Sequence, residues 1–194
     1  MDETAVRFKK ELKRKSFHLL SSLYLLAYII LGRSPALKIL VPILAIEGLI
    51  EISRFIFPGM NQKLVDLFGG IHREDETRKI SGIFWTLAGS IVTFWLIPNQ
   101  RIVWIAMCYL ISVDTLSALI GTRFGKHRLK SGKSLEGSAT FLLVSFLSGL
   151  CFVAPLPAVL GALFATVVEA VPVPGNDNFW IPVLSGLFLS LGFS

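Results

Sequence analysis

The chain has 194 residues, 53% of them hydrophobic and 16% charged, with a mean hydropathy of +0.67. One soluble core of this length cannot hide that much apolar material, so a soluble globular protein is excluded and the bilayer is the expected solvent. The net charge of +6 is read as topology and attraction to anionic lipid head groups, and no nucleic-acid partner is expected.

In chain order, residues 1–16 form a basic amphipathic segment in which Arg14, Lys15 and His18 fall along one helical face at the membrane surface. A lone histidine in such a place is more often interfacial than catalytic. Apolar runs approaching the roughly 20 residues of a bilayer crossing follow at 17–31, 36–57, 80–97, 101–120, 138–154, 157–171 and 179–193. They predict an all-α polytopic bundle of about seven transmembrane helices, to within one, forming a single membrane-embedded domain over 1–194. The first run follows a basic stretch, as a secretory signal does. Ile30-Leu31-Gly32-Arg33-Ser34-Pro35 offers no small-x-small cleavage site, however, so the run is read as a retained helix. Glu47, Glu51 and Arg54 of the second run share a helical face and are read as a structural ion pair outside any site. Cys108 and Cys151 fall inside predicted spans, where neither a disulfide nor a metal framework is expected.

With seven spans and a cytoplasmic N-terminus, all but Arg33, Lys38 and Arg101 of the 19 basic side chains fall on the cytoplasmic side, as the positive-inside rule requires. Carboxylates within spans are costly and are paired, turned to water or used. Asp114 lies about two helical turns from the cytoplasmic end of the fourth span, and Glu169 at that end of the sixth. Asp114, Ala118, Gly121 and Gly125 recur at i, i+4, i+7, i+11. Close packing accounts for the small residues of that stripe but not for the acid at its head, so Asp114 is the leading catalytic candidate.

The loop 121–136 combines glycines, hydroxyls and basic residues before the fifth span. Glycine N–H groups, lysine charge and a helix N-terminus suit phosphates, so Lys126 and Lys133, with Arg78 and Lys79 ahead of the third span, are expected to bind them. Gly132-Lys133-Ser134 is not part of a P-loop, because His127 stands where that pattern needs glycine. The segment 172–178 joins the last two spans without a basic residue. Both a plain turn and a ligand role for Asp177 fit it.

At these residues the chain resembles the CTP-dependent lipid kinases, the family of dolichol kinase, phytol kinase and the CTP-using diacylglycerol kinases. The matching blocks are Arg14-Lys15-x-x-His18, Asp114 with Gly121 and Gly125, Lys133-Ser134-x-Glu136-Gly137-Ser138, and the Asp177-Asn178 turn after Glu169. The resemblance implies transfer of the γ-phosphoryl group of CTP, with Mg²⁺ or a similar divalent cation, to the hydroxyl of a membrane lipid alcohol: a polyprenol, a phytol-like prenol or diacylglycerol. On this basis Gly121, Gly125, Ser134, Gly137, Ser138 and Asn178 join the basic residues around the nucleotide, and Glu136 and Asp177 are the metal candidates. Asp114 orients or deprotonates the lipid hydroxyl, or holds the metal, while Arg14, Lys15, His18 and Glu169 support the site. Such chemistry asks chiefly for positioning and charge neutralisation.

Two rival readings fit the sequence less well. A phosphatidate cytidylyltransferase also joins CTP to a lipid, but its Lys-Asp and Pro-Gly-His-Gly-Gly signature has no match here. A transporter would show an internal repeat and polar residues at mid-membrane, and neither pattern is found.

Overall fold

The computed structural model describes residues 3–57, 59 and 79–193, and within them every predicted apolar run falls on a helix. Helix α1 (Glu3–His18) continues through a 3₁₀ turn at Leu19–Ser21 into α2 (Ser22–Leu31). Gly32, at φ 82°, ends the rod in a backbone state that a Cβ disfavours. The chain then runs through α3 (Arg33–Ile56), α4 (Gly82–Leu96), α5 (Gln100–Phe124), α6 (Leu135–Leu150), α7 (Pro155–Ala170) and α8 (Asp177–Phe193). With α1 and α2 taken as one, seven helical rods stand among the described residues. The one isolated β-bridge there joins Arg128 to Ser134.

The helices start where the sequence supplies an acceptor for the free N–H groups of a first turn. Ser81 Oγ accepts from the Phe84 N–H at 3.3 Å, Asn99 Oδ1 from Arg101 at 3.0 Å, and Ser134 Oγ from Gly137 at 3.1 Å. Pro155, whose fixed φ suits a first turn, opens α7.

Helix α5 is the axis of the bundle. It touches α1, α6 and α8, while α8 also packs on α4 and α7. Val103, Ile105, Met107 and Leu110 of α5 are fully buried, and Phe94, Phe141, Ile181 and Leu189 of its neighbours complete the core. Tyr28 of α2 stacks on Phe94 of α4 with ring centroids 4.6 Å apart. The outer faces of α2 and α3 are unpartnered and apolar, with Ile30 and Leu49 each about two-thirds exposed at 68% and 65%.

Among the described residues, only Gln100–Phe124 is both long and apolar enough to cross a membrane. Helices α4, α6 and α7 are apolar but shorter. Residues 3–16 of the basic N-terminal segment form the first half of a long helical rod docked on α5. Arg78 lies outside the described residues.

The stripe of small residues brings a helix close. A Cβ on Gly121 would sit 2.6 Å from Ser134 Oγ and 3.3 Å from Gly137 Cα, and one on Gly137 would sit 3.0 Å from the Ser117 carbonyl. Gly121→Ala therefore overpacks the α5–α6 crossing at a cost of about 1–3 kcal/mol, a fall in Tm of roughly 2–10 °C for a chain of this size. Gly192→Ala, which meets nothing within 4 Å, leaves Tm unchanged or slightly raised. Thermal unfolding in detergent checks both, and equal shifts would refute the packing role.

Candidate functional site

Two ion networks meet where α1, α5, α6 and the 172–178 turn converge. In the first, Lys15 of α1 donates to Asp114 Oδ2 of α5, both side chains being buried. Three residues on, His18 lies one turn along the same face. Its Nε2 donates to the Leu110 carbonyl at 2.9 Å and stands 3.6 Å from Asp114 Oδ2. Immediately before Asp114, residues Tyr109–Val113 of α5 are wound as a π-helix. The wider turn rotates the face on which Asp114 emerges, a distortion frequent at functional sites.

The second network centres on Lys133. Its ammonium lies 2.6 Å from Asp177 Oδ2 and 2.9 Å from Glu169 Oε1, and Ser138 Oγ donates to Glu169 Oε2 at 3.0 Å. Burial alone would lower the Lys133 pKa, but the Asp177 and Glu169 carboxylates outweigh it and hold it above its ordinary range. Burial would likewise raise Asp177, and Lys133 holds it below. Residues 127–135 form a tight hairpin, closed by Leu129 N–H to the Lys133 carbonyl at 2.8 Å and Leu135 N–H to the His127 carbonyl at 2.9 Å. The hairpin carries Lys133 inward.

Between the networks lies a polar cavity of about 130 Å³, lined by Arg14, Lys15, Arg128 and Lys133 and by Glu11, Asp114, Glu169 and Asp177, with Ser117, Ser134 and Asn178. Four cations face four carboxylates, so this lining is formally neutral and most of its cations are already paired. Arg14 is held by Glu11, with Nε 3.2 Å from Oε2. A second cavity, about 140 Å³ and mostly apolar, lies between α1–α2 and α4. Arg14 and Asn178 belong to the walls of both.

The structure brings only some of the predicted site residues to the cavities. Lys126 and Lys79 are exposed and line neither cavity. The glycine N–H groups expected to face phosphate are bonded internally: Gly125 to the Gly121 carbonyl, Gly132 to the Leu129 carbonyl and Gly137 to Ser134 Oγ. A Cβ on Gly125 would meet the Gly121 carbonyl at 2.2 Å, so this glycine serves close approach. Ser138 orients Glu169. Ser134 caps α6 and lines the cavity.

Glu136 turns away from the cavity to His127, whose ring Nδ1 is 2.8 Å and whose N–H is 3.3 Å from its Oε1. The expected Mg²⁺ pair of Glu136 and Asp177 is therefore not formed. Among the described residues no three His, Cys, Asp or Glu side chains gather as a metal cluster. Asp177 and Glu169 face Lys133, and Asp114 faces Lys15, so this donor set does not fit a divalent cation held by the protein alone.

The 172–178 segment is both a turn and a contributor. Gly175 sits at φ 79°, Asn176 Oδ1 accepts from the Asn178 N–H at 2.9 Å, and Asp177 reaches Lys133. Glu51 accepts from Arg54 at 2.7 Å and from the Ser81 N–H at 3.2 Å, the structural role expected of it. Sequence reasoning passed over Arg128, Glu11 and Asn176 as lining residues. In a basic loop nothing marks one cation as the inward one.

Comparison with known proteins returns three relatives at low identity. An uncharacterized protein of Rickettsia prowazekii is 28% identical over 91% of this chain and 91% of its own length. The CTP-dependent diacylglycerol kinase 1 of Eremothecium gossypii is 25% identical, covering 93% of this chain and 67% of the kinase. That of Saccharomyces cerevisiae is 25% identical, covering 94% and 73%. No family model and no solved structure matches.

Two outcomes test this geometry. Lys15→Met leaves Asp114 as a buried, unpaired charge, at a cost of about 3–5 kcal/mol. Adding Asp114→Asn to that variant recovers more than half of the lost Tm, and failure to recover would show that the pair does not carry the docking of α1. The second concerns pH. Glu136 is held down to about 2 by its own backbone N–H and by the His127 ring, against an ordinary value of 4.5. Its ionised contact is thus fully stabilising above about 4.5 and is lost as pH falls through about 2. The Tm gap between wild type and Glu136→Gln should be constant from pH 7 to 5 and close towards pH 2.

Proposed function

We propose that the chain is a CTP-dependent lipid kinase that phosphorylates the hydroxyl of a membrane lipid alcohol at the cytoplasmic face. One observation carries the reading. The polar cavity, with Arg14, Lys15, Arg128 and Lys133 in its lining, shares the wall of Arg14 and Asn178 with an apolar cavity. A nucleotide triphosphate needs the first environment and a lipid chain the second, and phosphoryl transfer needs their reactive ends adjacent. The named activity of the two fungal relatives agrees with it.

The unpartnered apolar faces of α2 and α3 suit a lipid surround, since exposed apolar area on this scale is rare in water. Helix α5 then crosses the bilayer at the centre of the bundle, and the basic loops face the cytoplasm. In the reaction the lipid oxygen bonds to the γ-phosphorus as the bond to the β-phosphate oxygen breaks, and CDP leaves with the electron pair. Lys133, Arg128 and Arg14 meet the phosphates by exchanging carboxylate partners for phosphate oxygens. The hydroxyl proton is drawn towards the Asp114 carboxylate, which Lys15 and His18 hold in the wall of the polar cavity.

Purified protein given CTP labelled at the γ-phosphate, with diacylglycerol and prenols, is expected to release CDP and label a lipid. Pyrophosphate release would make it a nucleotidyltransferase, and no turnover would overturn the reading. Asp114→Asn keeps the side-chain volume and removes the charge, so activity per folded molecule should fall by roughly 10²-fold or more. A near-normal value would remove Asp114 from the reaction.

A further inference from the structure

Helix hydroxyls in this bundle commonly bond their own backbone. Thr86, Ser90 and Thr93 of α4 each donate to the carbonyl four residues back, at 2.8, 2.7 and 2.7 Å. Two fully buried hydroxyls on facing helices do not. Tyr109 Oη of α5 and Ser145 Oγ of α6 have no hydrogen-bond partner among the described residues, a condition they share with the side chains of Trp104, Ser131, Ser185 and Ser190. A serine can turn to its own helix. A phenol stands too far from its own backbone for that, so Tyr109 must be satisfied from elsewhere. Native interiors keep few such groups, and ordered water is the usual partner of those they keep.

The two hydroxyls share one surface. Phe141, Ser145 and Gly149 recur at i, i+4, i+8 on α6 and so face one way. The Tyr109 ring meets Phe141 edge-on, with centroids 6.4 Å apart, and its hydroxyl ends beside Gly149, where a Cβ would lie 3.4 Å from Oη. The phenol thus runs along this face with Ser145 between its two ends. Its neighbours at the hydroxyl end are the smallest side chains there are: Gly149, and Ala158 of α7, whose Cβ lies 3.2 Å from the position of a Cβ on Gly149. A bound water needs polar partners and a little room, and a glycine–alanine corner beside two oxygens offers both.

Tyr109 is also where the π-wound turn begins. The Asp114 N–H donates to the Tyr109 carbonyl, the five-residue bond that widens this turn. We propose that one ordered water joins Tyr109 Oη to Ser145 Oγ across the α5–α6 crossing, and that this bridge fixes the first residue of the π-turn and through it the direction of the Asp114 carboxylate. Tyr109 and Ser145 are then positioning residues, and their site takes water and no substrate. Only the consequence for turnover rests on the lipid kinase reading.

Tyr109→Phe keeps the ring and its contact with Phe141 and removes the hydroxyl alone. A bridged phenol predicts a fall in Tm of roughly 1–6 °C in detergent, the scale of one hydrogen bond in a chain of this size. An orphaned phenol predicts no change or a rise. Ser145→Ala should lower Tm likewise, and the double variant should fall no further than the less stable single one, since both substitutions break the same bridge. Additive shifts, or a Tm that holds or rises in Tyr109→Phe, overturn the bridge. Positioning is read at the backbone: hydrogen exchange of the Asp114 amide should quicken by roughly tenfold in Tyr109→Phe, with the amides of Val103 and Ile105 unchanged. An unchanged Asp114 rate overturns the positioning role. In turnover, kcat should fall while KM for CTP stays constant, and a constant kcat overturns that role too. A wild type that phosphorylates no lipid overturns the kinase reading and leaves the Tm and exchange results to decide the bridge. If Tyr109→Phe does not fold, Ser145→Ala supplies the Tm and exchange measurements.

Discussion

The pairing of Lys15 with Asp114 is the constraint on which the rest of the site depends. Withdrawing an ammonium and a carboxylate from water costs several kcal/mol each, recovered only when the two meet in good geometry. Neither residue can be buried without the other, so the N-terminal rod must dock on the axis helix at one register. That register delivers His18 to Leu110 and Asp114, and puts Arg14 between the two cavities. The π-wound turn before Asp114 belongs to the same arrangement, since it sets the direction in which the carboxylate leaves α5.

The second network follows the same logic with a different outcome. Lys133 stands between two carboxylates, with Glu169 itself braced by Ser138. Preformed ion pairs keep the cavity orderly, and on the kinase reading proposed above an incoming phosphate competes with carboxylates for Lys15, Lys133 and Arg14. A pocket of bare lysines would attract any anion. A neutral, pre-paired one favours an anion able to replace several carboxylate contacts at once, as a triphosphate does.

The glycines set how close these networks can come. Because α5 and α6 touch through Gly121 and Gly137, the Lys133 hairpin begins beside the helix that carries Asp114. A single methyl group at that crossing would push the two halves of the polar cavity apart, so the small-residue stripe sets the distance between the two networks.

The sequence by itself determined the helical rods, through apolar runs and the residues that cap them, and it singled out Asp114, because an acid at the head of a small-residue stripe has no cheap structural explanation. The family resemblance added the expectation that Arg14, Lys15, His18, Lys133 and Asp177 share one site. Periodicity and burial cost are local properties, legible one segment at a time. Which charges pair was decided only by the tertiary structure: Lys15 lies 99 positions from Asp114 and Lys133 lies 44 from Asp177. The same holds for which loop residues reach the cavity. Glu136 and Lys126 share a basic, glycine-rich loop with Lys133, but the hairpin turns Lys133 inward and the other two outward. Composition cannot express that difference, because the direction in which a side chain leaves a turn is fixed by the turn's hydrogen bonds and by the surface it closes against.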